Sequence, residues 1–431
     1  LFKLLVNLGQ HPRDKKDTVT VLEKIGHFLD EENERLYEKF KDEGYSKKEI
    51  SPLIAQNTDV EDILKNSASD FDGGYAMAGL IGHGDAFILR DPNGIRPAFY
   101  YKNDEVVVAA SERPAIRTTF NIPFDEINEI TPGSALIIRK NGEVFEKGIL
   151  PKSEKLSCTF ERIYFSRGTD EDIYKERKVL GRLLTEKVLE AIDFDHENTV
   201  FSYVPNTAET AFYGLVKGVE KYLQSYKVSE LSNKKVDGDE LNRLINLRPR
   251  VEKIIVKDAK LRTFITDDDH RNDLVAHVYD STYGVIRPGI DSLVIVDDSI
   301  VRGTTLKQSI LSILNRLKPK KVVVVSSAPQ IRYPDCYGID MSKMNDFVAF
   351  RAAVNLLKSR GMDNVLDEVY SACQNNPGAD ENFVKRIYEP FTDDEISKEI
   401  AAIVTPSFME CEVEVIFQSI ENLHTACPKH S

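Results

Sequence analysis

Apolar positions along the chain follow three successive patterns. Over residues 17–48, Val21, Ile25, Phe28, Leu29 and Leu36 recur at roughly helical spacing with charges between them, which predicts a helical hairpin. Over residues 73–149 the apolar stretches shorten (75–81, 85–89, 105–109, 134–138) and are broken by Gly, Pro and Asn, the pattern of antiparallel sheet. Beyond Pro151 strands alternate with helices: a helix ending at Ala191, a strand over 199–204, a helix over 208–222 and a strand over 253–256. The clearest unit is a strand over 293–296, a helix from about Thr305 to Leu317 and a strand over 322–325. Buried strands joined through helices predict a parallel sheet covered by helices. Residues 226–248, rich in Lys, Asp, Ser and Asn, read as an exposed insertion, and the chain from Leu356 onward as a charged helical cap or tail.

A length of 431 residues suits two or three domains. The expected organisation is an α+β layer over 1–152, an α/β domain over 153–355 and a helical segment over 356–431. With 41% apolar and 9% aromatic residues the chain folds. Its net charge of −13 leaves no global positive field for a phosphate backbone, so no nucleic-acid partner is expected. No apolar run approaches the roughly 20 residues that span a bilayer, so no membrane role is expected. Five cysteines, an odd number without close pairing, suggest a reducing, cytoplasmic compartment.

The most informative stretch is Leu293-Val-Ile-Val-Asp-Asp-Ser-Ile-Val-Arg-Gly-Thr-Thr305. An apolar strand ends on two carboxylates, a tight loop through Ser299, Val301, Arg302 and Gly303 follows, and Thr304 and Thr305 open an amphipathic helix. A helix start offers unpaired N–H groups and a partial positive charge, and glycine lets the backbone approach an anion closely. Asp297 and Asp298 stand at the carboxyl end of a strand, where they can accept hydrogen bonds from vicinal hydroxyls or hold Mg2+. Phosphate plus diol points to a ribose 5-phosphate. The competing explanation is a plain strand-to-helix turn capped by an acid. No Gly-Lys-Thr follows, so the loop is not a Walker A motif.

This stretch resembles the phosphoribosyl-pyrophosphate signature of type I phosphoribosyltransferases, and at full length that of the amidophosphoribosyltransferase family (glutamine phosphoribosylpyrophosphate amidotransferases). Ser326-Ser-Ala-Pro-Gln-Ile-Arg-Tyr-Pro, Tyr337-Gly-Ile-Asp340, Glu161-Arg-Ile-Tyr-Phe-Ser-Arg167, Val204-Pro-Asn-Thr207 and Arg262-Thr-Phe-Ile265 are similar to that family's transferase domain. Gly73-Gly-Tyr-Ala76, Arg90 to Pro97, Ala110-Ser-Glu112 and Thr131-Pro-Gly133 resemble the back half of its glutaminase domain, an amino-terminal-nucleophile fold. For Arg90 to Pro97, turn chemistry is the stronger reason for the residues. The resemblance implies Mg2+ supported by Thr207, Asp297 and Asp298, catalytic roles for Asp297, Asp298 and Arg262, and phosphoribosyl-pyrophosphate binding by the loop from Ser299 to Thr305. It nominates Asp17 for the glutamine α-amino group, although a helix N-cap explains Asp17 as well. It also implies glutamine or ammonia as nitrogen source, purine nucleotide inhibitors and a homo-oligomer.

The chain also departs from the family. The expected amino-terminal cysteine nucleophile and the Asn-Gly oxyanion segment are missing from it, and the first cysteine is Cys158. The expectation is a fragment lacking the amino-terminal part of the glutaminase domain, using free ammonia only. Lys257-Asp-Ala-Lys-Leu261 and Val278-Tyr-Asp-Ser-Thr-Tyr-Gly284 replace the family's aromatic and basic stretches, leaving Lys260 and Arg262 as candidates only. Cys158, Cys336 and Cys427 resemble three of the four positions that ligate a 4Fe-4S cluster in one branch of the family, and buried free thiols explain them too. Two other readings stay open. One is a sensor that holds phosphoribosyl pyrophosphate or a purine nucleotide without turnover. The other is a nucleobase phosphoribosyltransferase, against which the glutaminase-like first third argues.

Overall fold

Period-two alternation in the strands and 3.6-residue spacing in the helices account for most of the architecture. The structure, a computed structural model, describes residues 2–7, 9–10, 12–151, 153–234, 236–257, 279–334, 343–376, 378–379 and 381–428. The chain divides into two units, Leu1–Cys158 and Thr159–Ser431.

In the first unit, helices α1 (Asp17–Asp42), α2 (Lys47–Asn57) and α3 (Val60–Ala68) precede the strands. Ser46 and Glu49 form a capping box that starts α2, satisfying backbone donors the helix leaves open. Leu36 and Phe40 of α1 bury against Ile50 of α2, so the hairpin expected within 17–48 is instead made by one helix filling most of that stretch and a second beyond it. Two antiparallel sheets follow. One orders β1 (Ala76–Leu80), β2 (Ala86–Arg90), β6 (Ser134–Ile138) and β7 (Val144–Gly148); the other orders β4 (Val107–Ala110), β3 (Phe99–Lys102) and β5 (Asn128–Glu129). Phe87, Leu89, Ala135 and Ile137 pack with Val60 and Leu64 of α3. The alternate residues Ile88 and Leu136 pack with Ala98, Tyr100 and Ile130, as a period of two requires.

The loop after β2 is a structural knot. Arg90 is fully buried, and its guanidinium donates to the carbonyl of Arg96 at 2.8 Å and to Glu129 at 2.8 Å. The Asp91 carboxylate accepts from the backbone N–H groups of Asn93 (3.1 Å), Ile95 (2.9 Å) and Arg96 (3.0 Å). Turn chemistry accounts for these residues.

In the second unit a five-stranded sheet orders β14 (Glu412–Phe417), β13 (Lys321–Ser326), β12 (Ser292–Asp297), β8 (Thr199–Tyr203) and β9 (Arg250–Val251), with every pair parallel. Helices α4 (Glu171–Leu183), α5 (Glu209–Asn233), α6 (Leu311–Asn315), α7 (Val348–Ser359) and α8 (Asp393–Val404) surround it. Leu293 and Ile295 of β12 face Val348, Ala352, Ile396 and Ile400, while Val294 and Val296 face Phe212, Leu215 and Val219 on the other side. Each of these four β12 side chains is fully buried and contributes roughly 1.5–3 kcal/mol. Helices α4 and α5 cross at glycines: a Cβ on Gly181 would lie 1.7 Å from the carbonyl oxygen of Ala211, and one on Gly214 would lie 1.9 Å from that of Lys178. A short ribbon of β10 (Ile255–Lys257) and β11 (Tyr279–Ser281) completes the strands.

Residues 226–248 are largely exposed, as expected, and they are helical: α5 runs through to Asn233 and a further helix, Gly238–Asn246, follows with Leu244 fully buried. The polar composition belongs to the outer faces of helices. One expectation changes: the chain beyond Leu356 is not a helical tail alone. Glu412-Val-Glu-Val-Ile-Phe417 forms β14, the sheet's edge strand, with Val415 opposite Val324, and α8 contributes Ile396 and Ile400 to the core. Among the described residues no helix is long and apolar enough to cross a membrane.

Candidate functional site

The strand order locates the site. From β8 the chain moves outward to β9 on one side, then returns to place β12 on the other side of β8. Between the carboxyl ends of β8 and β12 the order reverses, and parallel sheets bind ligands at such a point. There β8 runs into Val204-Pro-Asn-Thr207, with a cis peptide bond between Pro205 and Asn206, and β12 ends on Asp297 and Asp298.

These two carboxylates oppose one another. Burial, then the charge of Asp298, pushes the Asp297 carboxyl well above the usual carboxylate range. Burial likewise raises Asp298 to about 6, against the opposing influence of Ser299, Arg177 and Thr207. The backbone N–H of Asp298 donates to Oδ1 of Asp297 at 2.9 Å, and Ser299 Oγ donates to Oδ1 of Asp298 at 3.0 Å. Behind them, Ser327 donates its N–H to the Asp297 carbonyl (2.9 Å) and its hydroxyl to the Asp298 carbonyl (3.1 Å).

The loop that follows turns its carbonyls away. Val301 O accepts from Val348 N–H at 2.8 Å, Arg302 O from the Arg351 guanidinium at 2.6 Å, and Gly303 O from Lys307 N–H at 3.0 Å. Gly303 has φ +72°, and a Cβ there would lie 2.7 Å from Cγ1 of Val404, so glycine is required twice over. Thr304 and Thr305 are exposed at the start of the helical segment that continues as a π-helical turn, Leu306–Ile310, and then α6. The structure therefore brings Thr207, Asp297, Asp298, Ser299, Val301, Arg302, Gly303, Thr304 and Thr305 to the carboxyl-end side of one sheet.

The donor set fits Mg2+. Two crowded, desolvated carboxylates with a threonine hydroxyl beside them carry unbalanced negative charge, which a hard cation relieves. No cluster of three or more His, Cys, Asp or Glu residues suited to a metal occurs among the described residues, so here the third protein donor would be the Thr207 hydroxyl. Cys427 is fully buried beside Ile163, Leu180 and Leu423, and burial, then Glu176, pushes its thiol up to about 12. Cys158 is a partly exposed free thiol, and Cys336 lies outside the described residues.

Three further expectations stand apart from this constellation. Arg262 and Lys260 lie outside the described residues. Asp17 belongs to the first unit, where it is exposed as the first residue of α1; Lys16 takes the N-cap position, so the capping alternative for Asp17 moves by one residue.

Sequence reasoning missed two neighbours of the acidic pair. Arg177 on α4 is buried; it donates to the carbonyls of Arg162 (2.8 Å) and Ser166 (2.7 Å) and draws Asp298 downward. Tyr279 on β11 has its hydroxyl pushed up to about 12 by burial and then by Asp297 and Asp298. A buried arginine on a helix face has no local signal; Tyr279 sits in a stretch that registered only as a departure.

No protein-family model matches the chain. It is 28% identical to the amidophosphoribosyltransferase of Pasteurella multocida over 375 residues, 84% of this chain and 64% of that protein. It is 30% identical to the Pseudomonas aeruginosa amidophosphoribosyltransferase over 302 residues, 68% of this chain and 53% of that protein. The chain thus spans about half to two thirds of the length of the curated relatives it matches. Among solved structures, the Bacillus subtilis glutamine phosphoribosylpyrophosphate amidotransferase complexed with ADP and GMP matches with a TM-score of 0.55 at 22% identity, over 91% of this chain and 69% of that one. In sequence and in fold, this chain is a relative of the amidophosphoribosyltransferases.

Proposed function

We propose that the chain performs the phosphoribosyl half of amidophosphoribosyl transfer: ammonia displaces pyrophosphate from C1 of phosphoribosyl pyrophosphate, giving 5-phosphoribosylamine, the first step of purine nucleotide synthesis. The observation that carries this reading is the acidic pair at the switch point, continuous with a loop whose carbonyls are tied back behind it.

The C1–O bond breaks with its electron pair leaving on pyrophosphate, a C1–N bond forms, and the amine then loses a proton to solvent. The backbone and hydroxyls of residues 299–305 hold the 5-phosphate. Asp297 and Asp298 hold the ribose hydroxyls and favour positive charge developing on the ring. Bound Mg2+ would neutralise charge on the leaving pyrophosphate, held by Thr207, Asp297 and Asp298. Arg262 remains the candidate for closing over the substrate.

The reading extends to the first unit as a glutaminase-type layer, with Asp17 its candidate for the glutamine α-amino group. Ammonia then derives from glutamine in the family's complete reaction. Purine nucleotide inhibition, a homo-oligomer and a cytoplasmic location belong to the same proposal.

Phosphorus NMR of the chain with phosphoribosyl pyrophosphate and Mg2+ tests it. Conversion of the substrate's resonances to pyrophosphate that requires ammonium supports transfer, and unchanged resonances with ammonium present contradict it.

A further inference from the structure

Three contacts reach the loop from one short stretch of chain, residues 346–351. Val348, the first residue of α7, donates its N–H to Val301 O at 2.8 Å. One turn later, the Arg351 guanidinium donates to Arg302 O at 2.6 Å. In the turn before α7, the Asp346 carboxylate pairs with the Arg302 guanidinium at 3.6 Å.

A loop that holds an anion must aim N–H groups at it and carbonyls elsewhere, because a carbonyl oxygen turned inward repels the ligand. Two consecutive carbonyls, Val301 and Arg302, are held outward by α7. Among the described residues, the amides of Gly303 and Thr304 donate to no protein acceptor. Gly303, free of a side chain and in the left-handed region, is the residue around which this loop would relax were the tether released.

We propose that Arg351 and Asp346 are positioning residues for the phosphate loop, acting on it through Arg302. The inference rests on the reading of this loop as the 5-phosphate site. Arg351 carries the larger effect, since a guanidinium on a backbone carbonyl is a charge-assisted hydrogen bond, whereas the Asp346 pair is partly exposed and weak.

The test uses the full chain and two probes: ribose 5-phosphate binding by calorimetry, and KM for phosphoribosyl pyrophosphate in ammonium-dependent turnover. Arg351→Met is expected to weaken ribose 5-phosphate binding and raise KM by about tenfold. Meanwhile kcat stays within about twofold, because ground-state and transition-state binding are lost together. Thermal melting is unchanged, since the side chain is exposed. Arg351→Lys restores part of the binding, as a single donor can still reach the carbonyl, and Asp346→Asn has a smaller effect in the same direction.

If the wild type binds and turns over but Arg351→Met binds equally well, the inference fails and the functional reading stands. A lowered melting temperature with no recovery in Arg351→Lys marks a merely structural role and also overturns the inference. A wild type that does not bind ribose 5-phosphate overturns both.

Discussion

The N–H of Asp298 donates to the carboxylate of its neighbour Asp297 at 2.9 Å, so one acid's backbone orients a side chain that the other acid's charge opposes. Burial raises both carboxyls, Asp298 to about 6. Each therefore binds a proton more tightly in the folded chain than in the unfolded one. Their contribution to stability is fully present below the ordinary carboxylate pKa of about 4 and is lost as pH rises through about 6. Asp297→Asn removes the opposition. In thermal melts at neutral pH without divalent cation, the variant is expected to melt roughly 2–6 °C above wild type, and the gap closes near pH 4. A variant less stable than wild type at neutral pH would contradict the assignment.

The same protons govern substrate binding. Log kcat/KM for phosphoribosyl pyrophosphate is expected to fall on the acid side of about pH 6 as Asp298 protonates, which a pH–rate profile reads directly. Raising Mg2+ moves that limb to lower pH, because a cation favours the ionised pair. A limb indifferent to Mg2+ would place the metal elsewhere.

Gly303 makes two separable demands. Gly303→Ala introduces a left-handed alanine, at about 1–2 kcal/mol, and drives its Cβ into Val404. Adding Val404→Ala relieves the collision and leaves the backbone cost. Ribose 5-phosphate affinity is expected to fall by about tenfold or more in the single variant and to recover partly in the double variant.

In the first unit, Asp91 carries the loop after β2. Asp91→Ala removes a fully buried carboxylate from four backbone donors, those of Tyr75, Asn93, Ile95 and Arg96, and is expected to cost about 3–5 kcal/mol. Hydrogen exchange should report this as lost protection in β1, β2 and β6.

Much of the site could be read from local sequence because strand, acids, glycine and helix start are contiguous. Leu293 to Val296 announce a strand buried on both faces, and Gly303 announces the turn. Partners distant in sequence were not legible. Nothing near Glu412 reveals that Val415 lies opposite Val324, so β14 passed for part of a helical tail. Arg177 joins the site only because α4 packs where it does, and Arg351 only because the start of α7 meets the back of the loop. For residues 226–248 composition foretold the exposure but not the helices: Leu244 is buried at helical spacing from Leu241, whose neighbours are polar.

The central claim is that Asp297 and Asp298, with the loop after them, hold phosphoribosyl pyrophosphate for attack by ammonia. Pyrophosphate release by wild type and by Asp297→Asn, with ammonium at alkaline pH and Mg2+ present, tests it most directly. The account predicts ammonium-dependent release that drops by about 100-fold or more in a variant that remains folded. Release that is equal in the two proteins, or independent of ammonium, would contradict it.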